Sequence, residues 1–248
     1  MKKSLLLFCV LGLAPVLNSV HANEVCDENS KRLKADYSIS ITKHTTMGDS
    51  TRTTNMSLWR MDNKVAHQYP ETKITEEYTL VRNKFIKPVR YFDGHQRAIE
   101  YQPGETIHGK KETDFSYRYQ LVSDTFLDSM TLVSSTGSGC EKTETYELKN
   151  SAGSFTLTWL VHQQLIASFE VESGKVHRNW TLTSTDYNAD VNSFFAKRAD
   201  YQATDYADIG DDHTDPFLTK MVTQGFIEAG ASGFYNDKGH ALEGEHSH

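Results

Sequence analysis

The chain has 248 residues, 33 acidic against 26 basic side chains, a formal net charge of −7 and 38% hydrophobic residues. An acidic chain of this kind is a poor candidate for binding nucleic acid or an anionic membrane surface. Its length suits one β-rich domain or two small ones, and the lack of a linker or fixed-period repeat favours one.

Lys2 and Lys3 precede a mostly apolar run from Leu5 to Leu17, and Val20-His21-Ala22 places a small residue at a cut site. That order predicts a secretory signal peptide over residues 1–22, cleaved after Ala22, with an uncleaved anchor as the alternative. The mature protein is then expected in the periplasm or outside the cell, without a transmembrane segment. Loss of the two lysines takes the net charge from −7 to about −9. Cys9 follows Phe8 inside the apolar run, which does not suit lipid attachment. Cys26 and Cys140 remain, and in an oxidising compartment an even pair is expected to join as a disulfide.

Leu33 to Thr42 alternates through Ala35, Tyr37, Ile39 and Ile41, the pattern of a strand with one inner face. The Thr-rich stretch from His44 to Asn55 predicts a turn or mobile hairpin tip. Met56 to Met61 and Lys64 to Gln68 predict two strands around Asp62-Asn63. Ile74 to Leu80 is divided between a strand and a short helix ahead of Pro88. Val89 to Phe92 and Arg97 to Gln102 flank Asp93-Gly94, a strong hairpin dipeptide, and Pro103-Gly104 closes that unit.

From Glu112 to Thr185 the alternation dominates. Phe115, Tyr117, Tyr119 and Leu121 fall on one face of a predicted strand. Phe155, Leu157, Trp159 and Val161 do so in another, as do Leu165, Ala167, Phe169 and Val171, and Trp180 with Leu182. Breaks at Asn150–Gly153 and Glu172–Lys175 are short enough for antiparallel hairpins. Three helices punctuate the pattern: Asp124 to Val133 after Ser123, ended by Thr136-Gly137-Ser138-Gly139; Asp190 to Arg198; and one opened by Asp215-Pro216. The fold class is therefore α+β, mostly β: a curved antiparallel sheet with a few short helices. One domain is expected over residues 23–235, with a flexible His-containing tail over 236–248.

Chemistry-bearing residues are sparse. Asp205, Asp208 and Asp211 belong to a run of carboxylates between Asp200 and Asp215 able to offer oxygen ligands to calcium. The plainer reading is a solvated acidic loop whose last member caps the helix from Pro216. His240, His246 and His248 suit zinc, copper or nickel, although a solvated tail has the same composition. His162 and His177 fall in neighbouring predicted strands, and His67, His95 and His108 in or near turns. No nucleophile elbow, phosphate loop, dinucleotide fingerprint or His-Glu-x-x-His motif occurs, which favours a non-enzymatic role. No resident cofactor is expected, a metal ion being the one candidate.

The aromatic wall is the remaining candidate. Tyr117, Tyr119, Phe155, Trp159, Phe169 and Trp180 either pack as core or line a cavity for an apolar small molecule or a lipid. Leader, long antiparallel meander and inserted short helices together resemble the periplasmic lipoprotein carriers of the LolA/LolB kind. That resemblance implies an incomplete β-barrel closed by helices, with acyl chains held between sheet and helices. It transfers architecture and no individual residue.

Overall fold

The computed structural model describes Cys26 and residues 29–107, 110–209 and 215–223. The expected signal peptide, the tail with His240, His246 and His248, and also His108 and Asp211 lie outside the described residues. In chain order come β1 (Arg32–Thr45), β2 (Gly48–Met61), β3 (Lys64–Tyr69), β4 (Ile74–Val81), β5 (Phe85–Phe92), β6 (Arg97–Glu100), β7 (Thr106–Ile107) and β8 (Lys110–Lys111). Then follow α1 (Phe115–Gln120), α2 (Asp124–Ser129), β9 (Thr131–Thr136), β10 (Thr143–Asn150), β11 (Gly153–Leu160), β12 (Leu165–Ser173) and β13 (Val176–Asp186). The last described elements are α3 (Val191–Ala199), β14 (Gln202–Asp205) and α4 (Pro216–Thr223).

Twelve strands form one sheet in the order β14-β6-β5-β4-β3-β2-β1-β13-β12-β11-β10-β9. All neighbours are antiparallel except β14 on β6, and β1 pairs with β13, which brings the two meanders side by side. The terminal strands β14 and β9 do not pair with each other, so the sheet stays open. This is the mostly β architecture that the alternating runs predict. It also has the form of the incomplete barrel implied by the LolA/LolB resemblance.

Alternation sorts the side chains into two faces. On the front face Leu33, Ala35, Tyr37 and Ile39 of β1 join Met56, Leu58, Val65, Tyr78, Leu157 and Leu165 in the main core. Val122, Met130, Phe126 and Leu127 of the α1–α2 region close over it. Leu218 and Met221 of α4 cover Ile74, Phe92 and Ile99 further along the same face. The back face is held by α3: Phe194 stacks on Trp59 at 3.9 Å and 12°, beside Phe195 and Ala66. Asp93 gathers Thr75, Arg198 and Tyr201 there, which ties α3 to the β5–β6 turn.

Several expectations need correction. Phe115 to Gln120 is helix α1 rather than strand: Asp114 accepts the Tyr117 N–H as N-cap, and Leu121 ends it in the left-handed region at φ 68°. Phe115 and Tyr119 are two apart in strand counting from Tyr117 but also four apart, so the same letters serve a helical face. Helix α2 stops at Ser129, and Thr131 to Thr136 becomes strand β9, where β-branched residues lower helix propensity and suit a pleated surface. Thr136-Gly137-Ser138-Gly139 therefore follows a strand, not a helix. The Thr-rich stretch from His44 onward forms the outer end of a hairpin of two 14-residue strands, cross-linked by Thr42 with Thr51 and His44 with Asp49. Among the described residues no helix precedes Pro88, which lies inside β5 opposite Tyr78. His67 sits in β3 rather than a turn, and His162 sits in the β11–β12 turn rather than a strand.

The capped helices follow expectation. Ser123 accepts the Phe126 N–H at the start of α2, Asp190 the Ser193 N–H at α3, and Asp215 the Phe217 N–H at α4. Cys26 is joined to Cys140, with Cα atoms 5.6 Å apart, which ties the chain ahead of β1 to the β9–β10 connection. Among the described residues, no helix is long and apolar enough to cross a membrane.

Candidate functional site

The register of the front face aligns one apolar row across six strands. Ile39 faces Trp180, Trp180 faces Phe169, Phe169 faces Leu157, Leu157 faces Tyr146, and Tyr146 faces Leu132 on the edge strand β9. A second row runs Ile41, Arg178, Val171, Phe155 and Leu148. Helix α2 covers these rows only in part. Its Phe126 meets Phe155 at 5.4 Å and Phe169 at 6.2 Å, both edge to face, and Phe155 and Phe169 stack 6.5 Å apart. Trp180 packs edge-on against Tyr37.

Coverage divides the residues singled out in the sequence. Trp159 is core, at 5% exposure. Phe155 and Phe169 stay partly exposed around Phe126, as does Trp180 opposite Phe169, and Leu132 continues the row of Phe169 and Trp180 outward at 49% exposure. Tyr119 lies on the sheet side of α1 with Phe115, their rings 5.6 Å apart. Tyr117 is 48% exposed on the other side of that helix, so it leaves the wall. The structure thus brings three of the six candidate aromatics into one partly open group.

The other half of the front face is polar and closed. His67, Glu76 and Arg90 face one another across β3, β4 and β5. Arg90 donates to Glu76 at 2.8 Å, and the Tyr78 hydroxyl donates to the second oxygen of Glu76 at 3.0 Å. Arg118 of α1 lies over the Tyr78 ring at 4.4 Å and donates to Glu112 at 2.6 Å. His67 donates its Nε2–H to the Arg118 carbonyl at 2.7 Å, which fixes the tautomer because a carbonyl only accepts. Burial, seconded by the Arg118 charge, pushes His67 down to about 4. Burial opposes the charge of Arg118 as well, but Tyr78, Glu112 and Glu76 outweigh it and raise its pKa.

Arg60, fully buried on β2, is met by backbone carbonyls and by no carboxylate among the described residues. It donates to the carbonyls of Tyr119, Ser30, Gln163 and Gln164, and lies 4.3 Å from the Tyr119 ring centre. Burial lowers its pKa to about 10. One side chain thereby joins α1, the β11–β12 turn and the segment before β1. The sequence reading passed over Arg60 and set His67 in or near a turn, although a signal was present. Both stand in register with Leu58 and Val65, at positions where alternation points a side chain inward.

Two carboxylates of the acidic run have other partners, and Asp208 lies in the 3-10 turn beside them. Asp205 caps the 3-10 turn Tyr206–Asp208 and accepts from Gln102, and Asp215 caps α4 and pairs with Arg97 at 2.6 Å. Among the described residues, no group of three or more His, Cys, Asp or Glu is placed to hold a metal ion. His177 pairs with Thr42 and Glu172 in β13, away from the turn that carries His162.

No protein-family model and no curated protein matches this chain. Solved structures do. An outer membrane lipoprotein-sorting protein domain from Vibrio parahaemolyticus is similar at 8% identity and a TM-score of 0.29, over 66% of this chain and 91% of that one. A DUF1329 family protein from Desulfovibrio piger matches at 7% identity and a TM-score of 0.35, over 70% and 92%. The MucA/MucB complex of Pseudomonas aeruginosa matches at 10% identity and a TM-score of 0.29, over 63% and 53%. At that level of likeness, function has to be read from this chain's own geometry.

Proposed function

We propose that this is an exported, non-enzymatic binding or carrier protein that takes a lipid or other apolar ligand on the open part of its front face. The observation that carries the reading is the partly exposed pair Phe155 and Phe169 around Phe126, with Trp180 opposite Phe169 in the sheet register. Rings left partly in water on a face otherwise closed by helices are a standing site for apolar contact. Covering the remainder of three such rings is worth roughly 3 kcal/mol, before the ligand's own buried surface is counted. The basic and apolar leader and the joined cysteines support export to an oxidising compartment.

Native mass spectrometry of protein purified from a periplasmic extract, followed by solvent extraction, tests the proposal. A retained lipid-sized mass is expected, and it should be lost in a Phe155→Ser, Phe169→Ser double variant that keeps its β-sheet circular dichroism. Long-chain fatty acid should also change the emission of Trp180 saturably. A bare protein mass together with unresponsive emission would remove the reading.

A further inference from the structure

A second feature of the front face lies away from the aromatic group. It is an open cleft of about 550 Å³ where β1 begins, β2 turns into β3, β4 ends and β11 turns into β12, with α1 along its side. The rows that carry Phe155 and Phe169 run toward the opposite strand ends, beyond α2. We infer that this cleft is a binding site for a neutral, hydroxyl-rich ring, a short saccharide.

The floor of the cleft is apolar, made by Leu80, Phe115 and Tyr119, with the two rings tilted by 38°. A pyranose offers a patch of C–H groups to such a floor and hydroxyls around its edge, so it needs a ring-sized apolar surface inside a polar rim. The rim meets that need. Asp62 accepts from Arg32 through Oδ2 at 2.8 Å, and Asp124 accepts from Gln120 through Oδ1 at 2.6 Å. Asn63 donates Nδ2–H to the Leu80 carbonyl at 2.8 Å. Each planar side chain is thus held by one atom, while the second carboxylate oxygen of Asp62 and of Asp124 and the amide oxygen of Asn63 have no protein partner among the described residues. Held acceptors lose little rotamer freedom on binding.

Donors come from Lys31, whose ammonium makes no ion pair among the described residues. The charge pattern narrows the class. Asp62 is already paired with Arg32, which leaves Asp124 against Lys31, so the rim has no surplus positive charge to hold phosphate or sulfate, and a rim this polar leaves a purely apolar ligand with unpaired groups. The volume lies within the range of small-molecule sites, about 300–1,000 Å³. This inference stands apart from the apolar site, because no residue is shared between the two.

Isothermal titration calorimetry of the full mature chain with maltotriose, cellotriose and chitotriose tests it. At least one trisaccharide should bind, and Lys31→Ala and Asn63→Ala should each weaken that binding by about tenfold, the loss of one good hydrogen bond. Both positions are exposed, so Lys31→Ala should melt with the wild type and Asn63→Ala, which also gives up its bond to the Leu80 carbonyl, only slightly below it. Phe169→Ser should leave saccharide binding intact, which separates failure here from failure of the apolar reading. Heat from none of the three sugars would overturn the inference. So would binding that both rim variants retain in full.

Discussion

His67 is neutral in the fold for a plain reason. It is buried beside the Arg118 guanidinium, with its one N–H given to the Arg118 carbonyl. Its pKa falls from an ordinary 6.5 to about 4, so the unfolded chain binds a proton that the folded chain refuses between those values. The stability this protects is full above about pH 6.5 and is lost as pH falls through about 4, by on the order of 3 kcal/mol. His67→Gln keeps a donor and removes the titration. Urea unfolding at pH 7 and pH 4.5 should show a smaller acid loss in the variant than in the wild type. Equal losses would refute the assignment to His67, since the depressed carboxylates Asp36 and Asp215 give up their contribution only below their ordinary value of 3.8.

At the scale of elements, hairpin geometry and helix caps place the aromatic group. Gly153 opens β11 at φ +148°, and a Cβ there would meet the Glu172 carbonyl oxygen at 2.1 Å. Gly174, in the β12–β13 turn, has φ +58° and open space. Gly153→Ala should therefore cost about 2 kcal/mol or more, while Gly174→Asn should be close to neutral. Thermal melts of the pair check the contrast, and similar shifts would refute it. Helix α2 depends on Ser123, whose hydroxyl accepts the Phe126 N–H. Ser123→Ala should cost about 1 kcal/mol and loosen Phe126 over Phe155. Much of this layer was legible: the β2–β3 and β5–β6 turns, the caps at Asp190 and Asp215, and strands β11 to β13. Helix α1 was not, because Phe115, Tyr117, Tyr119 and Leu121 satisfy a period of two as well as an i, i+4 pair. Local letters leave that ambiguity, and the Asp114 cap together with packing over Tyr78 resolves it.

For the whole molecule, the long-range closure is the Cys26–Cys140 bond, spanning a sequence separation of 114 residues. In the chain-entropy model a loop of that length contributes about 4–5 kcal/mol. A Cys26→Ser, Cys140→Ser variant should unfold at lower urea, and reductant should move the wild type to the same midpoint. A midpoint unmoved by both would place the stability in the sheet alone. The sequence by itself determined the mostly β class, the paired cysteines and the apolar character of the long meander, because alternation and composition are local properties. Only the tertiary structure decided which aromatics are buried. Trp159 and Phe169 carry the same pattern in sequence, yet α2 and the order of strands leave one in the core and the other at an open face. Inward-facing Arg60 and His67 were likewise decided in space, where carbonyls from segments up to 104 residues away supply the partners that make their burial tolerable.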